Sequence, residues 1–169
     1  MIINNQKFRT IWPNDGMAAG SRSVSIIDQT KLPYAFKIVE VINMPQMIVA
    51  IKTMQVRGAP LIGAAAAYGM ALAMQNDCND EYLQLSAKQL IQSRPTAVNL
   101  RWAVERMTQL LLPMAAEMRL DAAWSEAAKI CDEDVLLNQA IGQHGLSLIQ
   151  SLHSLNLNKQ HSHQLNILT

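Results

Sequence analysis

The spacing of hydrophobic and polar positions along the chain changes character near residue 34. Before it, short β-branched and aromatic runs alternate with turn residues. Residues 8–12 (Phe-Arg-Thr-Ile-Trp) predict a strand ending at the turn Pro13-Asn14-Asp15-Gly16, and residues 24–28 predict a second strand. A small antiparallel sheet at the N-terminus follows, with residues 28–33 as a connecting turn. From Tyr34 the period becomes helical. Residues 34–43 read as a short helix with Phe36, Val39 and Ile42 inward, and Pro45 opens another carrying Ile48, Ile51 and Met54. Residues 61–75 form an apolar, alanine-loaded helix with Gly63 and Gly69 inside it. Those glycines cost helix propensity but let neighbouring helices approach closely. A further helix covers 82–92, and Thr96 is the expected N-cap of the next. That next helix presents Val98, Trp102, Met107, Leu110 and Leu111 near one face, with Arg101 and Glu105 as an i,i+4 pair opposite. The last helical stretch runs from Asp121 to about His153, kinked or divided near Gly142 or Gly145. The polar, aperiodic residues 156–164 read as a linker, and 165–169 as a strand.

The pattern predicts a mainly α fold with a small N-terminal antiparallel β-sheet (α+β). Residues 1–155 form a helical domain, and 156–169 a linker and strand. Composition agrees: half of the 169 residues are hydrophobic and only 5% aromatic, which favours helix packed on helix over a β-sandwich. A formal net charge of +1 without any Lys/Arg cluster argues against nucleic acid as a partner. The apolar run from Leu61 to Met74 is shorter than the roughly 18 residues needed to span a bilayer, so no membrane partner is expected. The first residues lack a signal-peptide core, and Cys78 and Cys131 stand far apart without metal spacing. Both read as reduced thiols in a cytoplasmic protein.

Candidate chemistry centres on Arg57-Gly58-Ala59-Pro60. Proline favours the first helical position, and the free N–H groups and dipole of a helix N-terminus attract anions. Arg57 adds a bidentate fork, and Gly58 lets an anion reach the backbone. The block reads either as an anion site, most naturally for a sugar phosphate, or as a loop glycine and surface arginine before a buried helix. Arg94 likewise precedes a helix with a proline beside it, and reads as a second clamp or as a turn arginine. His161 and His163 lie in the polar linker without further ligands, and His144 sits among helix residues. The carboxylates beside Cys131 oppose nucleophile duty. No catalytic triad, P-loop or dinucleotide fingerprint is present. Binding chemistry is visible, and catalytic residues are not.

Taken together, these blocks resemble a known family. Residues 56–69, Val-Arg-Gly-Ala-Pro-Leu-Ile-Gly-Ala-Ala-Ala-Ala-Tyr-Gly, resemble a signature of the methylthioribose-1-phosphate isomerases. Residues 93–103, Ser-Arg-Pro-Thr-Ala-Val-Asn-Leu-Arg-Trp-Ala, resemble that family's second signature, and residues 28–33 and 138–145 match weaker blocks. The resemblance implies an aldose–ketose isomerase of methionine salvage acting on the 1-phosphate of 5-methylthioribose. It implies a homodimer, and no cofactor. It also implies a Rossmann-like C-terminal domain, expected to be missing here. Carried over by position, Arg57, Gly58 and Ala59 line the substrate phosphate and Arg94 contacts the substrate. In the family, a segment like 166–169 is followed by a His-Cys-Asn sequence with the catalytic cysteine, and the catalytic aspartate lies further on. Neither falls within these residues, so the expectation is a chain inactive by itself. Two alternatives stay open: a related isomerase of ribose 1,5-bisphosphate, and a non-catalytic assembly module akin to initiation-factor exchange subunits.

Overall fold

The computed structural model describes residues 2–158 apart from 4 and 18–20. The strand expected at 165–169, the linker from 159 and both linker histidines lie outside the described residues. The elements are β1 (Ile2–Ile3), β2 (Gln6–Lys7), β3 (Ile11–Met17), β4 (Ser21–Ile27), β5 (Ile38–Val41), α1 (Met44–Lys52), α2 (Ala59–Asn76), α3 (Asp80–Ser93), α4 (Val98–Leu111) and α5 (Ala116–Asn158). A mainly helical chain with a small N-terminal sheet is what the hydrophobic pattern predicts.

β1 and β2 make a minimal hairpin, and β3, β4 and β5 form an antiparallel sheet in that order. Pro13 does not end β3. It pairs opposite Val24 on an edge strand, where its missing N–H costs no ladder bond to a further strand. The register slips between Asn14 and Met17, so the expected turn is an irregularity inside the strand. The expected helix at 34–43 is also corrected. Residues 38–41 form β5, pairing Val39 with Ile26 and Val41 with Val24. Phe36 and Ile42 are exposed, whereas Val41 is buried. The β-branched residues of this segment fit the open edge of β4 better than a helix, and that edge is supplied by residues far earlier in the chain.

α2 is the centre of the core, buried continuously from Ile62 to Met74, with α1, α3 and α4 packed around it. The other core contributions come one or two per turn: Met47 and Ile51 from α1, Leu83 and Leu90 from α3, Leu100, Val104 and Met107 from α4. The inward face of α4 therefore differs in part from the expected one: Met107 and Leu111 are buried as expected. Val98, Trp102 and Leu110 are exposed, and Arg106, rather than Arg101, carries a close ion pair, with Glu126 at 2.6 Å. Arg119 is almost wholly buried. Its guanidinium donates to the carbonyls of Cys78 (2.7 Å), Leu112 (3.1 Å) and Met114 (3.1 Å) and pairs with Asp80 at 2.6 Å. It thereby joins the loop before α3 to the turn that starts α5.

Residues 1–131 form one compact unit, to which α5 contributes the buried Ala123, Trp124, Ala127 and Ile130. A second unit begins at Asp132, and its described part is helical through Asn158. The helix is not divided at Gly142 or Gly145, and it includes residues 156–158, where polar composition suggests a linker. Among the described residues, no helix is long and apolar enough to cross a membrane.

Candidate functional site

The starts of the first four helices differ in one respect. Asn43 caps α1, its side-chain oxygen accepting from the Gln46 N–H at 3.0 Å, and Asn79 caps α3 through the Tyr82 N–H at 2.7 Å. α2 and α4 begin at Gly58 and Ala97 with no side-chain cap. Thr96, expected as the cap of α4, stands one residue too early. The first-turn N–H groups of α2 and α4 are therefore left for another acceptor.

These two uncapped ends border the same cavity, of about 640 Å³, a volume ordinary for a small-molecule site. Arg57, Gly58 and Ala59 line it from the α2 side, and Arg94, Thr96, Ala97 and Asn99 from the α4 side. All four residues singled out in the sequence thus meet in one place. Two local features bring them there. Gly58 has φ +97°, a conformation L side chains rarely adopt, and it turns the chain out of the Arg57 loop into α2. Gly63, one turn further, lets α4 come close: a Cβ there would lie 3.1 Å from the Asn99 carbonyl oxygen. Arg94 is held by its place in the α3–α4 turn, where its carbonyl accepts from the Ala97 N–H at 3.0 Å.

Gln29 and Met54 complete the wall together with Ile62 and Val98. Sequence reasoning passed over Gln29, although its block, Asp28 to Pro33, was visible as a motif. The buried Asp28 carboxylate accepts from the Thr30 N–H (3.0 Å) and hydroxyl (2.6 Å), and the Gln29 N–H donates to the Gln55 carbonyl at 2.9 Å. These bonds fasten the turn after β4 to the segment that leads into Arg57.

Two guanidiniums and two free helix N-termini, with no acidic side chain among the described lining residues, are chemistry that suits an anion. Among the described lining residues no side chain is a carboxylate, imidazole, thiol or amine, so none of them is suited to exchange a proton near neutral pH. Neither cysteine lines it. Cys131 is buried, and Cys78 has its thiol pKa pushed up by burial and then by Asp77, with Arg119 opposing. A second cavity of about 620 Å³ lies between α3 and α4. Ala87, Ile91, Val104 and Leu112 line it with one carboxylate, Glu105, and no cation, which does not suit an anion. No group of His, Cys, Asp and Glu able to hold a metal occurs among the described residues.

A family model described as the initiation factor 2 subunit family matches residues 55–169, a stretch that contains both arginines. The chain belongs to that family. A methylthioribose-1-phosphate isomerase of Acidiphilium cryptum is 52% identical over 151 residues, covering 89% of this chain and 40% of that protein. This chain thus spans about 40% of the length of that isomerase relative. Two solved structures are each 38% identical. The 5-methylthioribose 1-phosphate isomerase of Pyrococcus horikoshii matches with a TM-score of 0.62, over 67% of this chain and 34% of that one. The translation initiation factor eIF-2B subunit delta of A. fulgidus matches with a TM-score of 0.67, over 76% and 38%.

Proposed function

We propose that the cavity at the starts of α2 and α4 is the phosphate-holding part of a methylthioribose-1-phosphate isomerase site. In this reading Arg57, Gly58 and Ala59 hold the phosphate and Arg94 contacts the same substrate. The observation that carries it is the meeting of two guanidiniums and two uncapped helix ends on one cavity without acidic lining. Aldose-to-ketose conversion moves a proton between adjacent carbons and needs a positioned acid and base. The described lining offers orientation and charge but neither of these groups. The chain by itself therefore binds methylthioribose 1-phosphate without converting it.

Calorimetric titration tests the binding. Arg57→Gln and Arg94→Gln should each weaken methylthioribose 1-phosphate by about 10- to 100-fold, the range for a charged hydrogen-bonding partner. Unphosphorylated methylthioribose should bind far more weakly than the phosphate. Wild-type affinity in both variants refutes the site, and turnover of the sugar phosphate by the 169-residue chain refutes the claim of inactivity.

The likeness to the initiation factor subunit supports a second reading, an assembly module that acts through protein contacts. A module of that kind has no need of the cavity and should show no preference for a sugar phosphate over inorganic phosphate. Ribose 1,5-bisphosphate, titrated alongside, addresses the related isomerase.

A further inference from the structure

α1 ends in a six-residue turn whose two bonds define a Schellman closure. The Gln55 N–H donates to the Ala50 carbonyl at 3.0 Å, and the Met54 N–H to the Ile51 carbonyl at 3.4 Å. The residue that follows the C-cap Thr53 in such a closure is left-handed, and glycine is its usual occupant. Here it is Met54, with φ +61°. An L side chain in that region is crowded against the following carbonyl, and its presence where glycine serves better points to a use for the side chain.

Met54 lines the anion cavity, three residues before Arg57. It is 45% exposed, and Val98, another lining residue, is 77% exposed. With Ile62 they give the cavity an apolar portion beside its cationic one. A bare phosphate or a second anionic group gains nothing from that portion. A ligand with a phosphate at one end and a small apolar group at the other uses both. Methionine suits the second contact because its flexible, polarizable thioether adapts to an irregular partner.

We infer that Met54 is a specificity-determining residue, selecting sugar phosphates whose far end carries an apolar substituent over those ending in a hydroxyl or a second phosphate. This rests on the sugar-phosphate reading of the cavity given above.

Titration of the 169-residue chain with methylthioribose 1-phosphate, ribose 1-phosphate and ribose 1,5-bisphosphate tests it. The wild type should favour the methylthio compound by about tenfold or more, as expected for one small apolar group in a fitted contact. In Met54→Gly this preference should fall by about fivefold or more, the methylthio compound losing more affinity than ribose 1-phosphate. The melting temperature should rise by about 2–4 °C as the crowded backbone relaxes. Met54→Leu, which keeps an apolar side chain, should retain the preference. A merely structural role for Met54 leaves the ratio of affinities untouched in every variant, and that result overturns the assignment. Wild-type binding of methylthioribose and ribose 1-phosphates with equal strength overturns the assignment alone. Failure to bind any of the three overturns the sugar-phosphate reading as well.

Discussion

Gly63→Ala probes the junction on which the cavity depends. The added Cβ would sit 3.1 Å from the Asn99 carbonyl oxygen and 3.6 Å from that residue's carbonyl carbon and Cβ. The obstacle is backbone in the first turn of α4, so it cannot yield by a side-chain rotation. The helix start must withdraw from α2 by a few tenths of an ångström. Two opposing magnitudes set the stability change. Alanine is the better helix former, by about 0.5–1 kcal/mol. Overpacking a fitted contact costs about 1–3 kcal/mol. The variant should therefore be destabilised by about 0–2.5 kcal/mol, seen as a lower urea midpoint with unchanged slope. The ligand effect should be proportionally larger, because Ala97, Val98 and Asn99 all line the cavity and move with the start of α4. Affinity for methylthioribose 1-phosphate should fall by about threefold or more. A variant more stable by about 1 kcal/mol, with wild-type affinity, would show that α4 gives way freely and refute the tight junction.

Two further predictions concern the frame around the site. Arg119→Met should destabilise the first unit by about 3 kcal/mol, because three carbonyls lose a charged donor in a nearly closed environment. Asp80→Asn removes only the partner that is 67% exposed and should cost less than about 1 kcal/mol in the same urea series, so equal losses would contradict the geometry. The Cys78 thiol, whose pKa is raised above its ordinary value and which donates to the Met74 carbonyl at 3.0 Å, should alkylate more slowly than a free thiol at pH 8. Since a raised pKa lowers the thiolate fraction, the rate should climb as pH rises past that of the free thiol. Faster reaction than free cysteine at pH 8 would refute the assignment of burial as the main cause.

The helices with strong local signals were legible in the chain. α2 stands out by its unbroken apolar run, α1 by Pro45, and the site arginines by the glycine and prolines around them. The failures share a cause. Residues 34–43 have apolar positions compatible with a helical period, but the edge of β4 offers Val39 and Val41 partners that no local window contains. Pro13 and Gly16 look like a stop, yet an edge strand with a slipped register takes both in. The α4 face was misassigned because Trp102 and Val98 are large and apolar, and only packing against α2 decides that Leu100 and Val104 point inward. Gln29 and Met54 carry no distinctive local chemistry, so nothing short of the folded cavity draws them together.

The sequence by itself determined the helical majority, the small sheet and the two arginine loops as separate anion candidates, because capping, propensity and charge act over a few residues. That the loops form one cavity was decided only by tertiary structure. Convergence depends on how closely α4 approaches Gly63 and on the turn at Gly58. The first is a distance between segments roughly 40 residues apart, and the second is a local conformation that matters only because α4 lies where the turn leads. The same holds for Met54. Its residue type is plain in the chain, but its left-handed backbone and its place beside Arg57 exist only once α1 is closed by the turn that follows it.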